Sequence, residues 1–170
     1  MRNVRTAALP IFLVAAILML GQAKPSNPAT EKWTKFNFLL GTWVGSAKDT
    51  PHGAGSGGFS FELQLNQNVI VRKNHAEYSN GVKHEDLMIV YLDAGDKPRA
   101  IYFDSEGHVI RYAIETPAGG KVVFESEASE PGPRYRLTYW LDRDTLNGKF
   151  EIAQPNAEYK TYLEWTSKRV

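Results

Sequence analysis

Hydrophobic and polar residues alternate one by one along most of the chain, which is the pattern of half-buried β-strands. Every second residue is apolar in the stretches Phe59–Leu65 and Tyr135–Leu141. Clusters of glycine, asparagine and proline separate such stretches, as in all-β sandwiches and barrels. The pattern predicts ten strands, at about residues 41–48, 58–66, 69–78, 84–92, 99–105, 108–115, 121–128, 134–141, 146–153 and 159–167.

Nearly every predicted strand has one apolar face and one polar face. Such a series of strands closes most simply into an up-and-down antiparallel β-barrel with the apolar face inside. We therefore predict that residues 31–170 form a single all-β barrel domain of about ten strands. Ten strands enclose more volume than eight, which permits a ligand cavity but does not require one. The residues predicted to line a ligand site are Phe61, Met88, Phe103, Tyr112 and Tyr139.

The polar face is expected to be the outer surface of the barrel. Arginines and carboxylates share this face in the predicted register, which indicates charge pairing in water. Its members include Arg72, Glu85, Asp104, Arg111, Glu125, Arg134, Arg136 and Glu151.

The first 23 residues have the features of a secretory signal peptide. Arg2 and Arg5 precede an apolar run, and small residues lie before Lys24 at the predicted cleavage site. The apolar run is short for a membrane span, which needs about 20 residues. We therefore expect a secreted, periplasmic protein whose mature chain has no stable membrane insertion.

A short segment connects the signal peptide to the barrel. Residues 24–30 are polar and rich in proline, which predicts a linker. Glu31–Leu40 is a candidate helix with Thr30 as its N-cap, and its apolar residues share one face. We expect this helix to plug one end of the barrel through Trp33, Phe36 and Leu40.

The composition excludes several classes of function. The 170 residues include 20 Lys and Arg against 19 Asp and Glu, so the formal net charge of +1 provides no general field for nucleic acid. The chain has no cysteine, which excludes disulfides, thiolate metal sites and a cysteine nucleophile. A secreted chain without disulfides is typical of a bacterial periplasmic protein.

Two stretches resemble a known class of proteins. Leu39-Leu40-Gly41-Thr42-Trp43-Val44-Gly45 resembles the opening of lipocalin-like and nitrobindin-like barrels, and Tyr102–His108 is similar to an uncharacterised family of bacterial secreted lipocalin-like proteins. The resemblance implies a lipocalin-like barrel that binds a small molecule. Nitrobindin-like proteins bind haem through a histidine near the C-terminus, whereas the last histidine here is His108. A haem cofactor is therefore not supported, and the cofactor remains unknown.

Three of the four histidines lie near predicted hairpins. If Asn80-Gly81, Gly95-Asp96 and Glu106-Gly107 are two-residue turns, strand pairing places His75, Asp86 and His108 in one row with Ser105 at the barrel rim. Imidazoles and a carboxylate are common ligands of zinc and other divalent ions, so this row is a candidate metal site. The same row is also compatible with general-base chemistry. Ordinary cross-strand polar pairs are the third interpretation.

These observations favour a binding protein over an enzyme. The first hypothesis is a non-enzymatic secreted barrel that binds a small hydrophobic or amphipathic ligand. The second is a metal-dependent or general-base enzyme that uses His75, Asp86 and His108. The third is an envelope interaction protein whose barrel core is filled.

Overall fold

A computed structural model of the chain describes residues 31–127 and 132–170. The predicted signal peptide at 1–23, the predicted linker and the predicted N-cap Thr30 lie outside the described residues. The strands are β1 (Gly41–Ala47), β2 (Gly55–Gln64), β3 (Val69–Tyr78), β4 (Lys83–Leu92), β5 (Pro98–Asp104), β6 (Val109–Glu115), β7 (Lys121–Ser126), β8 (Arg134–Asp142), β9 (Thr145–Ala153) and β10 (Lys160–Arg169).

The ten strands form a closed antiparallel barrel, as predicted. Each strand pairs with its neighbours in sequence, and β1 pairs with β10 to complete the ring. Trp43 lies opposite Arg169 and Gly45 lies opposite Ser167 at this closure. Closure removes both free sheet edges, which would otherwise expose unpaired backbone groups. Among the described residues, no helix is long and apolar enough to cross a membrane.

The alternating apolar residues point into the barrel interior and form its core. Tyr139 is fully buried and lies edge-on to Phe61, with ring centroids 5.5 Å apart. Burial of each such side chain contributes about 1.5–3 kcal/mol to stability. The most deeply buried strand residues include Trp43, Phe61, Ile70, Met88, Val90, Tyr112, Val122, Phe124, Tyr139 and Leu146.

The segment before β1 covers one end of the barrel, which we call the closed end. Within the predicted helix Glu31–Leu40, the described backbone forms a 3-10 turn at Thr34–Phe36. The indole of Trp33 is fully buried and donates a hydrogen bond of 2.8 Å to the carbonyl oxygen of Gln67. Arg169 lies over the ring of Trp43 and donates to the carbonyl oxygens of Phe38 and Leu40. Leu39 and Phe36 are buried beside Trp33.

The strand β2 begins earlier than predicted. The predicted strand starts at about residue 58, whereas β2 starts at Gly55 and includes most of the glycine-rich stretch 53–58. A Cβ atom at Gly57 would collide with the carbonyl oxygen of His75 on β3, so glycine permits close approach of these strands. At the other end of β2, Leu65 has φ +50° and is 72% exposed, so its predicted inward orientation is wrong.

Three hairpin loops contain three residues each, although two-residue turns were predicted. The Tyr78 N–H donates to the Val82 carbonyl oxygen at 2.9 Å, and the Asp104 N–H donates to the His108 carbonyl oxygen at 3.3 Å. The loop between β4 and β5 closes in the same way, through a hydrogen bond from Asp93. Each extra loop residue shifts the register by one position and moves the neighbouring side chains to the other face.

The register shift corrects four predicted positions. Asp86 lies opposite Asn74 and Asp104, and Met88 lies opposite Tyr102. Arg72 and Asp104 therefore point into the barrel, although both were predicted on its outer surface. His75 and Phe103 point outward instead; Phe103 is 40% exposed.

Candidate ligand-binding site

A cavity of about 330 Å³ occupies the half of the barrel opposite the closed end. Its volume lies at the lower end of the usual range for small-molecule sites, about 300–1,000 Å³. The mouth lies beside the β3–β4 and β5–β6 turns, near Val82 and Glu106. We call this end of the barrel the open end.

One wall of the cavity is mainly aromatic and aliphatic. The rings of Tyr135 on β8 and Phe150 on β9 are stacked with their centroids 5.9 Å apart. The alternation of these strands directs both side chains to the interior. The other apolar lining residues include Phe59, Ile110, Tyr112, Leu137, Ile152, Leu163 and Trp165.

The opposite wall carries a buried ion pair. Arg72 on β3 pairs with Asp86 on β4, and at most 6% of either side chain is exposed. The Asn74 amide donates to Asp86 at 2.9 Å. Burial alone would lower the pKa of Arg72, but the nearby Asp86 carboxylate raises this pKa above its ordinary value. Asp86 is thus held by two neighbouring groups of β3.

Four residues at the mouth form a second polar group, the mouth cluster: His84, Asp104, Glu106 and His108. His84 Nδ1 lies 3.0 Å from Glu106 Oε1. His108 Nδ1 lies 2.9 Å from Asp104 Oδ2 and 3.7 Å from Glu106 Oε2. All four residues line the cavity, so the cluster borders the path of an entering ligand.

His84 also contacts the buried ion pair. Its Nε2 atom lies 3.3 Å from Asp86 Oδ2 and 3.2 Å from the hydroxyl of Tyr102. The hydrogen bond to Asp86 raises the pKa of His84 to about 9 with help from Glu106, although burial opposes the shift. Burial and the Asp86 charge raise the pKa of Tyr102, so its phenol is neutral at physiological pH.

The loop between β5 and β6 fixes the Asp104 carboxylate. Asp104 Oδ1 accepts hydrogen bonds from the backbone N–H groups of Glu106 at 3.0 Å and His108 at 2.9 Å. Its Oδ2 atom faces the Tyr102 hydroxyl at 3.3 Å and the His108 ring. Burial alone would raise the pKa of Asp104, but the hydrogen bonds from His108 and Glu106 lower it.

Of the five residues predicted to contact a ligand, only one lines the described cavity. Tyr112 lines the cavity. Phe61, Met88 and Tyr139 are buried in the packed core and are not among the cavity lining. The predicted inward orientation of Phe103 is wrong, because Tyr102 takes the inward position opposite Met88.

The structure also separates the three residues of the predicted metal row. His75 borders the cavity wall, but it pairs with Glu85 and its ring lies against Gly58, away from Asp86 and His108. Asp86 lies inside the barrel with Arg72, and His108 lies at the mouth. The outward orientation of His75 follows from the three-residue loop between β3 and β4.

Sequence reasoning missed several residues of the site. Asn74, His84, Tyr102 and Glu106 were not proposed as site residues, although all of them line the cavity. The sequence did contain one indication of three-residue loops. Such loops need a left-handed residue at their third position, which is commonly glycine. Gly81 and Gly107 occupy this position and have φ +85° and +88°.

The fold and the site define a small closed β-barrel with a cavity that is open at one end. No protein-family model matches the chain, and no curated protein matches its sequence. Among solved structures, the chain is similar to the crystal structure of Rv2717c from M. tuberculosis. The TM-score is 0.58 at 11% identity, over 85% of this chain and 98% of that chain. This similarity shows a shared barrel fold.

Two further structures have lower similarity. One is a de novo designed fluorescence-activating β-barrel, with a TM-score of 0.41 and 13% identity over 79% of this chain and 95% of that chain. The other is EF1p2_mFAP2b bound to DFHBI, with a TM-score of 0.45 and 10% identity over 80% and 97% of the two chains.

Proposed function

We propose that this protein binds a small hydrophobic or amphipathic molecule inside its barrel. The cavity carries this proposal: a barrel with a filled core has no space of this size next to an aromatic wall. The packed closed end supports a single entrance at the open end. This arrangement favours binding over the alternative of an interaction protein with a filled core.

The two walls of the cavity favour a ligand that has one apolar side and one polar side. Stacked Tyr135 and Phe150 offer apolar surface to a ring or a short chain. The opposite wall offers Asn74, Asp86 and Tyr102 to a polar group near the mouth. Because Arg72 already neutralises Asp86, a ligand group without a full negative charge fits this wall best.

We also propose that the chain is exported to a bacterial periplasm. The positively charged, then apolar, N-terminal sequence supports this location. Native mass spectrometry of the full-length gene product, expressed in a bacterial host and purified gently from whole cells, tests export and binding together. We expect a chain that begins at Lys24 and carries an organic adduct. A chain that retains Met1 contradicts export.

A matched pair of variants tests whether binding takes place in the cavity. Ile110 lines the cavity, whereas its neighbour Val109 is 61% exposed on the outer face. We expect Ile110→Trp to fill the cavity and to weaken binding of prodan, a neutral naphthalene dye, by roughly tenfold or more. Val109→Trp should leave the blue-shifted dye fluorescence unchanged. Equal dye binding by both variants contradicts the proposed site.

A further inference from the structure

The mouth cluster contains two imidazoles and two carboxylates on the barrel rim. One ligand atom each from His84, Asp104 and Glu106 lies within 4.8 Å of the other two. The ring of His108 adjoins both carboxylates, at 2.9 and 3.7 Å. We propose that this cluster binds a divalent transition-metal ion and that Zn²⁺ is the best fit.

The separations of these atoms suit the coordination of a metal ion. Ligand atoms about 2.0–2.2 Å from zinc in a tetrahedral site lie about 3.4 Å from one another. The distance from His84 Nδ1 to Glu106 Oε1 is 3.0 Å, and His108 Nδ1 to Asp104 Oδ2 is 2.9 Å. His84, Asp104 and Glu106 therefore form the centre of the proposed site, and His108 adjoins both carboxylates.

The surrounding residues already orient the proposed ligands. Asp86 lies 3.3 Å from His84 Nε2, so this nitrogen donates to the carboxylate and Nδ1 is directed at Glu106. A metal ion would replace the proton on Nδ1 and release it to solvent. A carboxylate behind a histidine is the usual support of a metal-bound imidazole. Two backbone N–H groups hold Asp104 Oδ1, which leaves Oδ2 for the cluster.

The types of ligand decide which ion is favoured. Calcium and magnesium prefer sites made of oxygen ligands alone. Imidazole nitrogens together with carboxylates suit zinc and related transition metals. Since all four residues also line the cavity, a bound ion would lie at the edge of the ligand space.

Metal binding by the full chain in metal-free form tests this inference. We expect calorimetric titration with ZnCl₂ to give one site per chain, and Co²⁺ to give visible absorption bands of a nitrogen–oxygen site. Glu106→Gln and His108→Gln should each weaken Zn²⁺ binding by roughly tenfold or more. Both residues are more than half exposed, so these variants are expected to fold.

Two outer-face residues provide a matched control. His75 and Glu85 are exposed and lie opposite each other on β3 and β4. His75→Gln and Glu85→Gln should leave Zn²⁺ affinity unchanged. Absence of Zn²⁺ binding by the wild-type chain, or equal weakening by the control variants, overturns the proposal.

The metal site does not depend on the proposed organic ligand, because the titrations contain none. A chain that binds Zn²⁺ but not prodan contradicts the proposed function and retains the metal site. A chain that binds prodan but not Zn²⁺ contradicts the metal site and retains the proposed function.

Discussion

The guanidinium of Arg72 and the carboxylate of Asp86 form an ion pair inside the barrel. Two buried charges cost several kcal/mol to desolvate, and their attraction offsets this cost only when the geometry is good. Here Asn74 supplies a further hydrogen bond to Asp86, and Asp86 orients His84. Each polar residue of this wall therefore positions the next one, from the interior to the mouth.

A second ion pair lies on the outside of the barrel, where Glu151 accepts two hydrogen bonds from Arg136 at 2.7 and 3.0 Å. These bonds lower the pKa of Glu151, although burial opposes the shift. Only 7% of the Glu151 side chain is exposed. We expect Glu151→Gln to lower the free energy of unfolding at pH 7 by about 1.5–3 kcal/mol, measured by urea denaturation.

The pH dependence of this stability difference follows from the lowered pKa of Glu151. Because the folded pKa is below the ordinary value of 4.5, the carboxylate stabilises the fold above pH 4.5. This contribution is lost as the pH falls through the folded pKa, so the wild-type and Gln proteins should converge in acid. The exposed Glu164→Gln provides a control, with a change within about 0.5 kcal/mol. A constant difference at all pH values contradicts the prediction.

Among the structural elements, the hairpin loops determine which side chains face the cavity. The β3–β4 loop is Ser79-Asn80-Gly81, and the β5–β6 loop is Ser105-Glu106-Gly107. A three-residue loop with a left-handed third residue is a common hairpin connection. These two loops bring Asp104 and His84 to the interior and His75 to the exterior.

Gly81 provides a direct test of this loop type. Its φ is +85°, and an added Cβ atom would have no other atom within 4 Å. The cost of Gly81→Ala is therefore conformational and should be about 1–2 kcal/mol in urea denaturation. Asn tolerates the left-handed region, so Gly81→Asn should cost less than Ala. An equal or larger loss for Asn contradicts the prediction.

The strands were predictable because each one alternates and is bounded by turn residues. The predicted β3, 69–78, has the observed ends, Val69–Tyr78. The register was not predictable from alternation, since a loop of two or three residues preserves the pattern within each strand and only reverses its face. Arg72 was assigned to the outside because polar residues usually lie there, and the carboxylate that neutralises it became evident only from the strand pairing.

At the scale of the whole molecule, the residues that stabilise the barrel and the residues that line the cavity lie at opposite ends. The closed end is packed with Trp33, Phe36 and Leu39, while the open end contains the cavity and the mouth cluster. The sequence pattern predicted the barrel. It could not predict the cavity, because the alternation of apolar and polar residues is the same in a filled barrel and in a hollow one. A cavity results from how side chains of different sizes meet across the interior, which requires the register of all ten strands.

This separation predicts that damage to the closed end lowers stability and leaves ligand binding intact. Trp33 is fully buried and its indole bonds to the Gln67 carbonyl oxygen, so Trp33→Ala should cost about 3–5 kcal/mol in urea denaturation. Well below the unfolding temperature, the variant should bind prodan with wild-type affinity, because Trp33 does not line the cavity. The exposed neighbour Lys35→Ala should change neither quantity. Loss of prodan affinity in a Trp33→Ala protein that remains folded would show that the two ends of the barrel are coupled.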